Sequence, residues 1–399
     1  MRYRITHLTA YTYSAPAHES FNEVRLRPAS DVTQTCLDFS LTIDPPGAVI
    51  AFDDYYGNAV HDFSIPYLHD ALRIEATSEV ITFAAADEPI SGPREGEEDR
   101  SPALAGLRAD ADFADEHAEF LYPSAYVDLG PASARLAQEL LAAEPGASAY
   151  AYLRAADALV HDILEYRIGA TTVHSTEEEV LVGRSGVCQD FSHVLIALCR
   201  HAGLPARYVS GYLGNVPESS ASHAWAEVFI PPYGWIGMDA TAGTPASGRH
   251  VKVAVGRDYA DVSVVRGTYR GGAASSLEVT VKSREIADAR SVGAGPQVRL
   301  RQGPIQYQTL GSMKQWQRLD AITQSLGAMT QSMGGMHQTI GGFPEQPMPV
   351  SDENSPRQQP QQQQQTEGET ASPSGETALR ASGGKGGEDE SRKPMAKSR

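Results

Sequence analysis

The 399-residue chain has an ordinary apolar fraction of 41% and room for two or three domains with a sizeable core. Its formal charge of −17, with no Lys/Arg stripe to offset it, excludes a nucleic-acid binder held by phosphate contacts. Cys36, Cys188 and Cys199 are widely spaced, with no CxxC pair and no clustering with histidine, which argues against a disulfide framework and against a metal or cofactor motif.

Met1–His7 alternates like a strand and lacks the apolar run of a secretory signal, and no stretch reaches membrane-spanning length. Together with cysteines suited to a reduced state, this leads to the expectation of a cytoplasmic protein without membrane partners. Residues 1–84 read as all-β: short alternating runs at Tyr3–Leu8, Asn22–Arg27, Ser40–Ile43 and Leu72–Ala76 are separated by Pro, Gly, Asn and Asp, and a β-sandwich is expected. Residues 85–120, acidic and rich in Pro and Gly at their start, read as a linker or surface loop. A core over 121–290 follows. Two helices are expected, from Ala132 to Ala143 and from Ala149 to Tyr166. A third covers Phe191 to Ala202, with Gly203 and Pro205 beyond its end. Strands are expected at Arg207–Leu213, Ala224–Ile230 and Gly234–Asp239, with more at Val251–Val255 and Leu277–Val281. This is an α+β pattern with helices first and an antiparallel sheet after. Residues 301–399, rich in Gln, Gly, Ser and Met, are expected to form a largely disordered tail.

Cys188 follows the glycine-punctuated Gly183–Val187 and starts the third helix, where free backbone N–H groups and the helix dipole favour a thiolate. Ser185 is the expected cap. Cys199, in mid-helix, reads as a small buried apolar residue. His223 heads a strand-like run, and Asp239 ends the next run across the Pro231–Gly234 turn, so the hairpin brings Asp239 within diagonal reach of His223. A thiolate, an imidazole and an orienting carboxylate are the parts of a nucleophilic acyl-transfer site. Gln189 is either a second oxyanion donor or a solvent-facing side chain, and Asp190 compensates the helix dipole. Trp225 and Trp235 either wall a cleft or belong to the core.

The runs Gly186-Val187-Cys188-Gln189-Asp190-Phe191-Ser192-His193, Ser222-His223-Ala224-Trp225-Ala226-Glu227 and Gly234-Trp235-Ile236-Gly237-Met238-Asp239-Ala240-Thr241 resemble the bacterial transglutaminase-like superfamily. So does the continuation Gly256-Arg257-Asp258-Tyr259-Ala260-Asp261-Val262. Asn22–Pro28 and Asp53–Asn58 resemble the β-domain that precedes the core in that family, and the likeness spans about residues 1–285. It implies a papain-like transglutaminase core with Cys188 as nucleophile, His223 as general base and acid, Asp239 as orienting carboxylate, and no cofactor or metal. The implied substrate is a protein or peptide carrying a carboxamide or peptide bond. Peptidase, amidase and transglutaminase chemistry all share the acyl-enzyme, and an inactive scaffold used for binding is the alternative from a different class. Where the family has Asp-Pro-Thr-Asn, this chain has Asp239-Ala240-Thr241-Ala242, which should loosen that loop. The sequence leaves the oligomeric state open.

Overall fold

The computed structural model describes residues 1–94, 96–219, 221–271 and 275–286, together with the backbone of 297–300 and 306–307. The N-terminal strands are β1 (Arg2–Val24), β2 (Gln34–Asp44), β3 (Ala48–Asp53), β4 (Ala59–Ile65) and β5 (His69–Thr82), in the antiparallel order β2-β5-β1-β4-β3. Two expected strands are here one: β1 runs on through irregular register between Thr12 and Ala17 and between His18 and Phe21. Its first half pairs with β5 and its second with β4, so the sheet curls over its own core. The inward residues of the alternating strands, among them Phe39, Leu41, Ile43, Phe63, Leu72 and Ile74, fill that core. Each such side chain contributes about 1.5–3 kcal/mol by leaving water.

The acidic segment is not free in solvent. Ile90 N–H donates to Ala246 O at 3.0 Å and Gly237 N–H donates to Ser91 Oγ at 3.1 Å, which ties it to the core. It then forms two short helices, α1 (Leu104–Ala109) and α2 (Ala111–Glu116), with Leu104, Leu107 and Phe113 buried. Helix α3 (Pro131–Ala143) starts on a proline, whose missing N–H costs nothing at that position. Helix α4 (Ala149–Ile163) is capped by the Ser148 hydroxyl and ends three residues earlier than expected, because Glu165–Tyr166 (β6) leaves the helix to pair with Ser185–Gly186 (β7). An unexpected helix, α5 (Glu177–Gly183), is set by the Thr176 and Glu179 capping box.

Helix α6 (Cys188–His201) is buried from Gln189 to Arg200, with α3, α4 and α5 on one side and the core sheet on the other. That sheet contains β8 (Ala206–Leu213), β9 (His223–Ile230), β10 (Gly234–Asp239), β11 (Thr244–Pro245) and β12 (His250–Gly256), in the antiparallel order β11-β10-β9-β8-β12. A central helix packed on an antiparallel sheet is the α+β, papain-like arrangement expected for the core. After the short helix α7 (Tyr259–Val262), β13 (Val265–Arg270) and β14 (Ser275–Glu285) return to pair with β1. The expected strand at Leu277–Val281 therefore extends the N-terminal sheet, not the core sheet. Two side-chain amides fasten the sheets together: Gln34 exchanges hydrogen bonds with the Lys252 backbone, both at 2.8 Å, and Asn58 does the same with Val255 at 2.7 and 2.8 Å.

Residues 297–300 (β15) lie parallel to β2, and 306–307 (β16) lie parallel to β3. The rest of the expected tail, 308–399 with 301–305, lies outside the described residues. Among the described residues no helix is long and apolar enough to cross a membrane.

Candidate active site

Cys188 is the first residue of α6, and the loop before it explains why. Arg184 ends α5 in the left-handed region at φ 50°, and Val187 is extended. The Asp190 carboxylate then reaches back to accept Val187 N–H at 2.7 Å and the Thr171 hydroxyl at 2.6 Å. Gly186 is required at this point, since a Cβ there would collide with the Asp190 carboxylate. Asp190 is thus the group that closes the helix start, whereas the expected cap, Ser185, instead donates to Gly183 O at 3.3 Å. Of the three thiols, only Cys188 is partly open. Burial pushes Cys36 up to about 11 and Cys199 higher still, which keeps both as inert thiols.

His223 and Asp239 sit at the same end of the core sheet, where the hairpin of β9 and β10 opposes Met238 to Ala226. His223 Nε2 lies 2.7 Å from Asp239 Oδ2, and His223 and Cys188 line the same cleft. With Nε2 engaged by the carboxylate, Nδ1 is the ring nitrogen left to serve a thiol. Burial disfavours the imidazolium, but the hydrogen bonds and charges of Asp239 and Cys188 outweigh it and raise His223 to about 10. Burial likewise opposes the Asp239 anion. Donation from His223 and His250 prevails and holds it well below the usual carboxylate range.

His250 was missed in the sequence. Its Nδ1 accepts Ser247 N–H at 2.9 Å, so Nδ1 bears no proton and Nε2 is the protonated nitrogen. That Nε2–H donates to Asp239 Oδ2 at 3.1 Å, while Thr241 N–H donates to Oδ1 at 3.1 Å. The carboxylate is pinned by three donors. The last of them, with Ala242 N–H on Asp239 O at 3.0 Å, secures the loop that lacks the family's proline. His223, Asp239 and His250 offer ligand atoms within 4.8 Å of one another. The Ser247 N–H nevertheless keeps the proton on His250 Nε2, which makes that nitrogen a hydrogen-bond donor and a poor metal ligand.

Cys188 and His223 open on a cleft of about 280 Å³. Gln189 lines the cleft but is largely buried, and its Nε2 donates to Val173 O at 3.0 Å. Tyr208 lines the cleft, and burial, reinforced by the charge of Cys188, raises its pKa so far that it stays a neutral phenol. His193, on α6, is buried; its Nε2 accepts Tyr259 N–H at 3.2 Å and burial lowers it to about 4. Neither tryptophan lines the cleft. Trp225 is core, and Trp235 stacks under Arg207 at 4.0 Å.

Comparison with known proteins gives two family matches: residues 3–81 match the bacterial transglutaminase-like N-terminal region, and residues 134–240 match the transglutaminase-like superfamily. An uncharacterized protein of Mycobacterium leprae is 33% identical over 295 residues, covering 72% of this chain and 99% of that protein. A protein-glutamine gamma-glutamyltransferase of Pseudomonas aeruginosa is 31% identical over 81 residues, which are 18% of this chain and 12% of that one. The crystal structure of a candidate cysteine protease from Cytophaga hutchinsonii superposes with a TM-score of 0.55 at 26% identity, covering 72% of this chain and 92% of that chain.

Proposed function

Because the chain belongs to the transglutaminase-like superfamily, we propose that it carries out thiol-dependent acyl transfer on protein or peptide amides through Cys188, His223 and Asp239. The superfamily includes cysteine peptidases and transglutaminases, and both pass through a thioester. The single observation that carries the reading is His223, held at 2.7 Å by a buried carboxylate and lining one cleft with the partly open Cys188.

In this mechanism the Cys188 thiolate attacks the amide carbon while the His223 imidazolium waits beside it. The oxyanion meets the Cys188 backbone N–H, which as the first of the helix has no partner within α6. The Tyr208 hydroxyl is the candidate second donor. Collapse expels the nitrogen, which takes its proton from His223 and leaves as ammonia or an amine. His223, now neutral, deprotonates the incoming water or primary amine, which attacks the thioester carbonyl and releases the Cys188 thiolate. Asp239 keeps the ring in the tautomer and orientation that both transfers require. A cytoplasmic setting, where a thiol stays reduced, suits this chemistry.

Mass spectrometry of a glutamine peptide incubated with the protein, with and without a primary amine, tests the reading. Amine-dependent mass gain means transamidation, conversion to glutamate means deamidation, and chain scission means peptidase activity. Each is expected to vanish in Cys188→Ala. Turnover that persists in that variant refutes the mechanism, and a wild-type protein inert toward amides would favour the scaffold alternative.

A further inference from the structure

The cleft in front of Cys188 has one wall from the core and another from the N-terminal sheet. His7, Thr9 and Tyr11 are alternate residues of β1 and therefore share a face, and all three line the cleft. On the neighbouring strand β14, Val279 pairs with Thr9 and Leu277 pairs with Tyr11, which adds their side chains to the same face. Val264 and Val265, at the entry to β13, complete this wall. The wall belongs to the curled sheet, not to the element that bears Cys188.

It is also uncharged. Among the described residues that line the cleft there is no Asp, Glu, Lys or Arg, on a chain whose formal charge is −17. The one imidazole in the wall, His7, is buried with its ring nitrogens 3.0 Å from the Tyr212 and Thr9 hydroxyls. Burial lowers it to about 4, so it stays neutral at ordinary pH. Against this wall a charged substrate side chain would lose its hydration and gain no counter-charge. An aliphatic or aromatic one would bury itself against Tyr11, Val279 and Leu277, the last of which is 57% exposed. The volume, about 280 Å³, suits one or two side chains and not a folded surface.

We propose that the β1 and β14 ribbon of the N-terminal sheet is the substrate-selecting wall of this site, and that it takes an apolar side chain of the peptide segment flanking the reacting carboxamide. The inference rests on the acyl-transfer reading for what happens to the carboxamide, but not for what binds.

Fluorescence anisotropy on full-length Cys188→Ala protein tests it without turnover, using two labelled peptide amides that differ only in having leucine or aspartate on both sides of a glutamine. The leucine peptide is expected to bind about 10- to 100-fold more tightly, the worth of burying an apolar side chain. Leu277→Lys, a change at an exposed position, is expected to cut that ratio by about tenfold. Equal binding of the two peptides, or a ratio untouched by Leu277→Lys, overturns the proposal. Turnover by the unmutated protein is read separately. Discrimination without turnover sinks acyl transfer and leaves the wall standing, and turnover without discrimination does the reverse.

Discussion

Strand β9 carries two ionic clusters on one face, four residues apart, and they have opposite characters. At its start, His223 meets Asp239, His250 and Cys188. In its middle, Glu227 meets Lys252 Nζ at 2.6 Å through Oε1, and Arg207 at 2.6 and 2.9 Å through Oε2, with Lys252 passed on to Asp31 at 2.9 Å. Trp225, fully buried, lies between the two. In the Glu227 cluster each carboxylate oxygen has its cation, and Glu227 and Lys252 are both buried. In the His223 cluster the carboxylate takes one ring nitrogen and leaves the other for a thiol that opens on a cleft. Charge pairing under a lid of protein is structure. The same pairing with one proton site facing an opening is the arrangement chemistry needs.

The sharpest way to break this contrast is Asp239→Asn. The amide carries no charge to support an imidazolium and invites the wrong ring tautomer, so kcat is expected to fall by about 10³–10⁴-fold. The pH profile gives the sign independently. His223 must be protonated to serve the leaving nitrogen, and its raised pKa keeps it so until about pH 10. The alkaline limb of kcat/KM should lie near that value in the unmutated protein and move down toward the ordinary 6.5 in the variant. An unmoved limb would mean that Asp239 does not hold the proton on His223.

The two clusters were not equally legible. Cys188, His223 and Asp239 each stand at a boundary that periodicity and turn chemistry mark: a helix start after glycines, a strand head, and the end of the next strand across a Pro-Pro-Tyr-Gly turn. The α+β order of the core followed from the same signals. His250 had no such mark. It reaches Asp239 because the chain crosses from the edge strand β11 to the opposite edge strand β12, a long-range step that no local pattern encodes. The substrate wall was hidden for the same reason, since β14 pairs with β1 across some 270 residues of sequence. Glu227 read as one more residue on an alternating strand, and only its meeting with Lys252 and Arg207 in space makes its burial affordable. The capping of α6 by Asp190 rather than Ser185 turned on a side chain reaching backward, a choice between two good cap residues that packing made.

His250→Phe sharpens the comparison on the reactive side. The ring is kept in shape while the Nε2–H donor is lost, so Asp239 keeps only two of its three donors and its hold on His223 loosens. An order-of-magnitude fall in kcat is expected, about tenfold, which corresponds to one charge-assisted hydrogen bond. The alkaline limb should drop less than in Asp239→Asn. His250→Gln, whose amide N–H can reach the same oxygen, should bring the limb back. A structural role alone would lower stability and leave the limb in place.

Glu227→Ala should have the smallest effect on chemistry and a large one on stability. It leaves Lys252 buried with Asp31 alone, and breaking a buried pair in this way costs about 3–5 kcal/mol. Turnover, measured well below the melting temperature, should stay within about twofold of the unmutated protein. The pH dependence of melting separates the two clusters further. Burial opposes the Glu227 anion, but Lys252 and Arg207 hold its pKa below the ordinary 4.5. Its contribution is therefore complete above 4.5 and lost as pH falls through the depressed value. In Glu227→Ala that part of the acid limb of the melting curve should disappear, whereas in Asp239→Asn the Glu227 part should remain. If instead Glu227→Ala moved the alkaline limb of kcat/KM, the two clusters would be one network joined through Trp225, and the division between structure and chemistry along β9 would fail.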